Sequence, residues 1–342
     1  MRPVWDDLSD TPALAEVPSN VDVLVVGAGV LGLATAYACT KRGLTVGVVE
    51  RSDRVAPGAS GRGAGLLVPG LLGLEIAEMS AFATRSVELW REWDAQFDGA
   101  LGVRRMPWLV ALPFDVPADS AAPQGMQVLD AASARELEPQ LGDVSAALVI
   151  DDQGHVDPLR ACRALAGRVP VRLSAEYPAV CADIDAGAVV WCTGTAPDIA
   201  DQTWVKGHLV ATAPVPWRLR HGISAPDALT VQLADGRLVC GGTLDEGADL
   251  AVDDEVVAGI RERLTSLLPA TTDVPLSHQW ACLRPRGATE LPSLARIDAR
   301  TWATWGHFRN GITYAPGTAE AIAEWIANGT CPPVAAPLVC SP

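Results

Sequence analysis

Apolar and polar positions along the chain alternate between two periods. Val21 to Val26 is an unbroken β-branched run, the mark of a strand buried on both faces. Next, Leu31, Leu33, Ala34, Tyr37 and Ala38 fall on the apolar side of a helix that Gly43 ends, and Thr45 to Val49 is a second strand. Helical spacing runs from Leu74 to Phe97. Residues 102–114 read as strands, 130–140 as a short helix with Asp130 as N-cap, and 146–150 as a strand. Asp157 followed by Pro158 opens a helix over 158–167. Residues 187–194 form a buried strand that ends in glycine. Residues 203–213 and 228–243 alternate as antiparallel strands do, with a turn at Asp235-Gly236. A helix over 253–268, a strand over 277–284, a short strand at 302–305 and a last helix over 317–328, after Pro316, complete the chain. Helix-linked strands at both ends with antiparallel alternation between them predict an α/β domain of parallel strands interrupted by a second, antiparallel domain.

The first strand–helix–strand unit carries the clearest chemistry. Gly27, Gly29 and Gly32 make G-x-G-x-x-G at the strand-to-helix turn, and Glu50 closes the second strand. Gly27 permits the tight turn, Gly29 lets backbone approach a pyrophosphate, and Gly32 lets helix and strand pack closely. The helix start, Val30 and Leu31, offers N–H groups and a positive dipole end to the phosphates. Glu50 stands where an acid accepts hydrogen bonds from a ribose diol. A packing-only βαβ unit leaves that acid unexplained. A membrane span is inconsistent with the glycines, the charged Asp22 and the immediate return to a strand. Residues 51–70 then form a long Gly-rich loop, and loops of this length in compact domains are usually functional.

Composition narrows the partners. The chain has 342 residues and a net charge of −15, which disfavours nucleic acid and anionic membranes. Its 49% hydrophobic content supports a substantial core. The eight cysteines have no C-x-x-C or metal-like spacing, so no metal is expected. Together with the lack of a basic and then apolar leader, they read as reduced thiols of a cytoplasmic protein. Residues 1–20 are expected to be a loosely held arm and 331–342 a disordered tail.

Five segments in order resemble the D-amino-acid oxidase superfamily of flavoenzymes, and most closely its glycine oxidase branch. They are VDVLVVGAGVLGLATAYACTKRGLTVGVVE, GASGRGAGLLVP, DDQGHVDPLRACRAL, ACLRP and GHFRNGITYAPGTAEAI. The likeness spans about 21–327. It implies a Rossmann-like FAD-binding domain of 1–98, 145–202 and 275–330, with an interleaved antiparallel-sheet substrate domain of 99–144 and 203–274. It further implies FAD, bound non-covalently, a small amine or amino acid as substrate, and O2 as acceptor; self-association stays open. Glu50 and Arg51 would hold the adenosine. Ser60, Gly61, Arg62, Gly65 and Leu66 would run beside the pyrophosphate and flavin. Val180 would lie near the adenine, and Thr193 and Gly194 near the phosphates. Gly306, His307, Arg309, Asn310, Gly311 and Ile312 would line the flavin, with the last helix pointing its N-terminus at the N1–C2=O edge.

The same resemblance implies oxidation of the carbon bearing a neutral amine, so no side-chain base is required. Arg284 matches the arginine that pairs with the substrate carboxylate, with Arg286 as a competitor; a surface salt bridge is its bland alternative. Arg309 matches a second arginine near substrate and flavin. His307 is read as packing or hydrogen-bonding near the flavin. Two departures bear on substrate: Leu229 stands where glycine oxidases carry a carboxylate-binding tyrosine, and His208 where glutamine is common. Cys282 occupies the place of a covalent flavin attachment in sarcosine oxidases, although a buried structural thiol is the plainer reading. The alternatives are a nicotinamide-dependent dehydrogenase, a flavin dehydrogenase passing electrons to an acceptor other than O2, and a flavoprotein without turnover.

Overall fold

The structure is a computed structural model that describes residues 2–114, 116, 125–179, 182–195, 202–226 and 228–340. The chain divides into two compact units. One comprises Trp5–Val103, Val156–Val205 and Leu283–Pro342; the other comprises Met1–Val4, Arg104–His155 and Lys206–Cys282.

The first unit is built on a six-stranded sheet. Its order is Ser293–Arg296, Thr301–Trp305, Asp185–Gly194, Asn20–Val26, Val46–Val49 and Val171–Arg172. All neighbours are parallel except the edge strand Ser293–Arg296. Val25 stands in register with both Val48 and Val190, and all three are buried, as the unbroken apolar runs require. The helix Val30–Lys41 is buried on nearly every side and contacts both the sheet and the last helix, Gly311–Asn328. Gly32, Ala34, Ala36 and Ala38 keep its girth small enough for both.

Several expectations need correction here. The helix expected over 74–97 is split into Pro69–Glu75 and Ser80–Gln96, with a short 3-10 turn at Ala77–Met79. Ile76 breaks it with an extended backbone, the preference of a β-branched side chain. The last helix begins at Gly311, so Pro316 lies inside it and does not precede it. The arm is not loosely held. Trp5 is fully enclosed, Ala15 bridges to Pro170, and Val17 lies against the bare Cα of Gly47. The tail is packed as well: Ala335 and Leu338 are buried in a turn, and the Cys340 N–H donates to Leu294 O at 3.1 Å. Both ends carry apolar anchors that outweigh their proline-rich, polar composition.

The second unit is built on a nine-stranded sheet covered on one face by the helix Asp254–Leu267. Its strands pair mostly antiparallel, as expected, but Gly222–Ala225 runs parallel to Trp108–Leu112, so the sheet is mixed. Ile260 and Leu264 of that helix meet Leu109, Ala147, Val210, Ile223 and Cys240 in one cluster. Ala146–Ile150, which the sequence placed with the dinucleotide domain, pairs antiparallel with Trp108–Leu112 and Met126–Asp130 in this sheet. Trp108 lies flat over Gly222, where a Cβ would stand 2.0 Å from the ring, and its Nε1 donates to Ser224 Oγ at 3.0 Å. No helix among the described residues is long and apolar enough to cross a membrane.

Candidate cofactor and active site

The three glycines of the first turn are fixed by different causes. Gly27 has φ +107°, and a Cβ there would stand 2.7 Å from Cys192 O. A Cβ at Gly32 would stand 1.9 Å from Gly27 O. Protein packing alone therefore demands both. Gly29 differs: its backbone is extended, and a Cβ would meet only Ser60 Oγ, at 3.2 Å. The protein leaves room at Gly29 that a bound diphosphate would use, beside the positive end of the Val30–Lys41 helix.

Two side chains shape this turn. Glu50 is 7% exposed, and its carboxylate accepts from Ala28 N through Oε2 and from Ser52 N through Oε1, both at 2.9 Å. The acid is thus held rigidly at the strand end, with lone pairs left over for a ribose diol. Ser60 Oγ accepts from Val30 N at 3.0 Å and caps the helix start from a loop 30 residues downstream. Around it, Gly61 has no room for a Cβ because Ala56 O would stand 2.3 Å away, and Gly65 takes φ +76°. Arg51 is exposed, Arg62 half-buried, and Leu31 buried. The carbonyl of Leu66 accepts from Thr313 Oγ1 of the last helix at 2.9 Å. Val180 lies outside the described residues.

The Arg284 and GHFRNG segments are tied together by backbone. Phe308 N donates to Pro285 O at 2.9 Å, Arg286 and His307 form a β-bridge, and a Cβ on Gly306 would stand 2.9 Å from Gly287 N. Gly306 N also donates to Gly194 O at 3.0 Å, which joins the end of Asp185–Gly194, where Thr193 is exposed, to the same place. Arg284 is half-buried and Arg309 exposed. Phe308 sits at φ +47°, a conformation rare for an aromatic residue, with Arg309 and Arg286 guanidiniums 5.7 and 6.0 Å from its ring centre. Asn310 is the cap position of the last helix, and Gly311 and Ile312 are its first residues.

His307 carries a buried polar atom with unmet capacity. It is 3% exposed, and its Nε2 lies 3.2 Å from Thr318 Oγ1. Nδ1 has no hydrogen-bond partner among the described residues, which fits a bound polar ring nearby. Burial pushes its pKa down to about 3, so the ring is neutral near pH 7 and holds no proton to donate as an imidazolium.

Elsewhere the structure shows what surrounds the remaining positions. His208 is buried with both ring nitrogens engaged: Nδ1 is 2.9 Å from Asp245 Oδ2, and Nε2 accepts from Asp253 N at 3.2 Å. It braces the start of the Asp254–Leu267 helix and has no free nitrogen to act as a base. Leu229 is half-buried and pairs across strands with Ser224 and Gly241. Cys282 is 2% exposed within a strand. Burial drives Cys39, Cys192 and Cys240 up to about 12, so these thiols stay protonated. Among the described residues no group of His, Cys, Asp and Glu is placed to hold a metal. The capping role of Ser60 has no local signal in the sequence, because its partner is thirty residues away.

Comparison with known proteins agrees with this geometry. Residues 22–325 match the DAO family model, described as FAD dependent oxidoreductase. Glycine oxidase of Bacillus licheniformis is 28% identical over 89% of this chain and 92% of its own. D-amino-acid oxidase of Streptomyces coelicolor is 30% identical over 89% of this chain and 96% of its own. The structure of glycine oxidase from Geobacillus kaustophilus superposes with a TM-score of 0.81 at 24% identity, covering 90% of this chain and 95% of that one. The chain belongs to the DAO family of FAD dependent oxidoreductases.

Proposed function

We propose that this FAD-dependent oxidoreductase oxidises a small amino acid or related amine, in the manner of a glycine or D-amino-acid oxidase. The observation that carries the reading is the backbone tie between Pro285 and Phe308, which fixes Arg284 beside the segment expected to line the flavin. FAD, when bound, supplies the two-electron acceptor that takes hydride from the amine-bearing carbon, leaving an imine for water to hydrolyse and reduced cofactor for O2 to reoxidise with release of H2O2.

The residues of this chain position and exclude. Arg284 presents a planar fork to the carboxylate, which orients the α-carbon. Arg309 adds positive charge at the same end. Neutral His307 offers Nδ1 to the cofactor and moves no proton. Residues 99–144 and 203–274 belong, in this reading, to the substrate side. With Leu229 in the place of a carboxylate-binding tyrosine, Arg284 carries more of the substrate's charge recognition. FAD is held non-covalently.

Anaerobic mixing with glycine, sarcosine, D-amino acids and simple amines tests the proposal. Bleaching near 450 nm by an amino acid, followed by recovery and H2O2 on admitting air, is the expected result. If no amine or amino acid bleaches the FAD-loaded protein, the reading is wrong. Bleaching without recovery in air moves the electrons to an acceptor other than O2.

A further inference from the structure

The N-terminal arm reaches the Gly-rich loop directly. Trp5 is 0% exposed, and its indole Nε1 donates to Gly63 O at 2.9 Å. Gly63 lies in the same loop as Ser60, whose hydroxyl caps the helix start beside Gly29. The same loop also packs on the helix Pro158–Ala166: Leu159 Cδ1 would be 3.5 Å from a Cβ at Gly61. The arm is fastened to that same helix. Arg163 donates to Ser9 O and, at 2.8 Å, to Ser9 Oγ, and lies 3.9 Å from Asp6 Oδ1. Further along, Val171 N donates to Ala15 O at 3.1 Å. The loop therefore contacts both a helix and an arm that are themselves bonded together.

That arrangement has an energetic meaning. Gly58, Gly61, Gly63 and Gly65 make the loop costly to order, since glycine loses more backbone freedom than any other residue. A ligand that must order such a loop binds less tightly than one that finds it already in place.

We propose that the arm is a latch on the cofactor loop and that Trp5 is a positioning residue for FAD, acting through Gly63 on the 59–65 segment. The inference rests on the reading that this loop borders the diphosphate, and goes beyond it by assigning the arm a role. Trp5 touches no substrate, and no chemical step depends on it.

Two readouts on the full-length protein test the latch, and neither uses a substrate. Trp5→Phe keeps an aromatic ring and deletes the N–H. FAD release from the holoenzyme, followed by recovery of flavin fluorescence on dilution, is expected to quicken about fivefold, the worth of one neutral hydrogen bond. Amide exchange across residues 59–65 of the FAD-free chain is expected to quicken by a similar factor, while exchange in the Asn20–Val26 strand stays unchanged. Arg163→Met loosens the arm at a second anchor without touching Trp5, and is expected to shift both readouts in the same direction. Unchanged FAD release in both variants overturns the latch, whatever happens to the melting temperature. Faster loop exchange with unchanged release overturns it too, and locates the fault in the loop's contact with FAD, while the amine-oxidation reading stands or falls separately on the bleaching experiment.

Discussion

The indole Nε1 of Trp90 donates at 2.8 Å to the carbonyl of Ile312, the acceptor that Pro316 leaves without its helical partner. One turn earlier on the same helix, Ser86 Oγ accepts from Gly317 N at 2.9 Å. Proline inside a helix removes one bond and strains the turn before it. Here the neighbouring helix Ser80–Gln96 repairs both sides of the defect, and the last helix continues back to Gly311. Trp90→Phe leaves a buried carbonyl unsatisfied and is expected to cost about 1–3 kcal/mol in denaturant unfolding. Adding Pro316→Ala to that variant restores a backbone N–H for Ile312 and should recover much of the loss. A double variant no more stable than Trp90→Phe alone would show that the indole acts only through packing.

Gly29 and Gly32 separate cofactor binding from folding. A residue at Gly29 has an allowed backbone and its Cβ meets only the Ser60 hydroxyl, so Gly29→Val should yield a folded, colourless protein that does not take up FAD. Gly32→Ala drives a Cβ to 1.9 Å from Gly27 O and should fail to fold or lose several kcal/mol. Circular dichroism and flavin absorbance distinguish the two. A yellow Gly29→Val protein with wild-type affinity would remove the diphosphate from that turn.

Legibility in the sequence follows the range of the interactions. The Val21–Val26 run, the glycines and Glu50 are local and periodic, and the structure places them as the pattern predicts. The caps Asp130 and Asp157 are local too, and Asp130 accepts from Ser133 N at 2.7 Å. The start of the last helix is hidden from the sequence because the repair of Pro316 comes from Ser86 and Trp90, over 220 positions away in the chain. The docking of the arm is hidden for the same reason: nothing near Trp5 reveals that Gly63 accepts its N–H. The closed bonding of His208 likewise depends on Asp245 and Asp253, which its own strand does not carry.

His307 gives stability a pH dependence with a definite sign. Its folded pKa, about 3, lies below the ordinary 6.5, so between those values the unfolded chain binds the proton and the folded chain does not. This contribution is complete above pH 6.5 and is lost as pH falls toward 3, with a slope approaching about 1.4 kcal/mol per pH unit. Denaturant midpoints of the FAD-free chain at pH 7, 6 and 5 should show the decline, and His307→Gln should flatten it. Parallel curves for the two proteins would place the titrating group elsewhere.

The burial of Cys282 argues against a covalent link to the flavin. A thiol 2% exposed within a strand is enclosed by protein atoms, and cysteine is among the most buried residue types. Acid denaturation of the holoenzyme should therefore carry all the yellow colour into the supernatant, and Cys282→Ser should retain its FAD. Colour that stays with the precipitate, and is lost in Cys282→Ser, would establish a covalent link.

Arg284 should control substrate affinity and leave the cofactor alone. It is half-buried on a strand end whose next residue, Pro285, accepts from Phe308 N, so its guanidinium has a fixed origin. Loss of a charge-assisted pair with a carboxylate typically costs about 2–5 kcal/mol, which corresponds to roughly tens- to thousands-fold in apparent KM. Arg284→Ala should show that rise with FAD content unchanged. Arg284→Lys keeps the charge but not the two-pronged geometry, and should fall between them. Arg309, exposed and stacked beside Phe308, should give a smaller KM effect when replaced by alanine. An uncharged amine among the best substrates, or a normal KM in Arg284→Ala with a raised one in Arg309→Ala, would move the carboxylate contact from Arg284 to its neighbour.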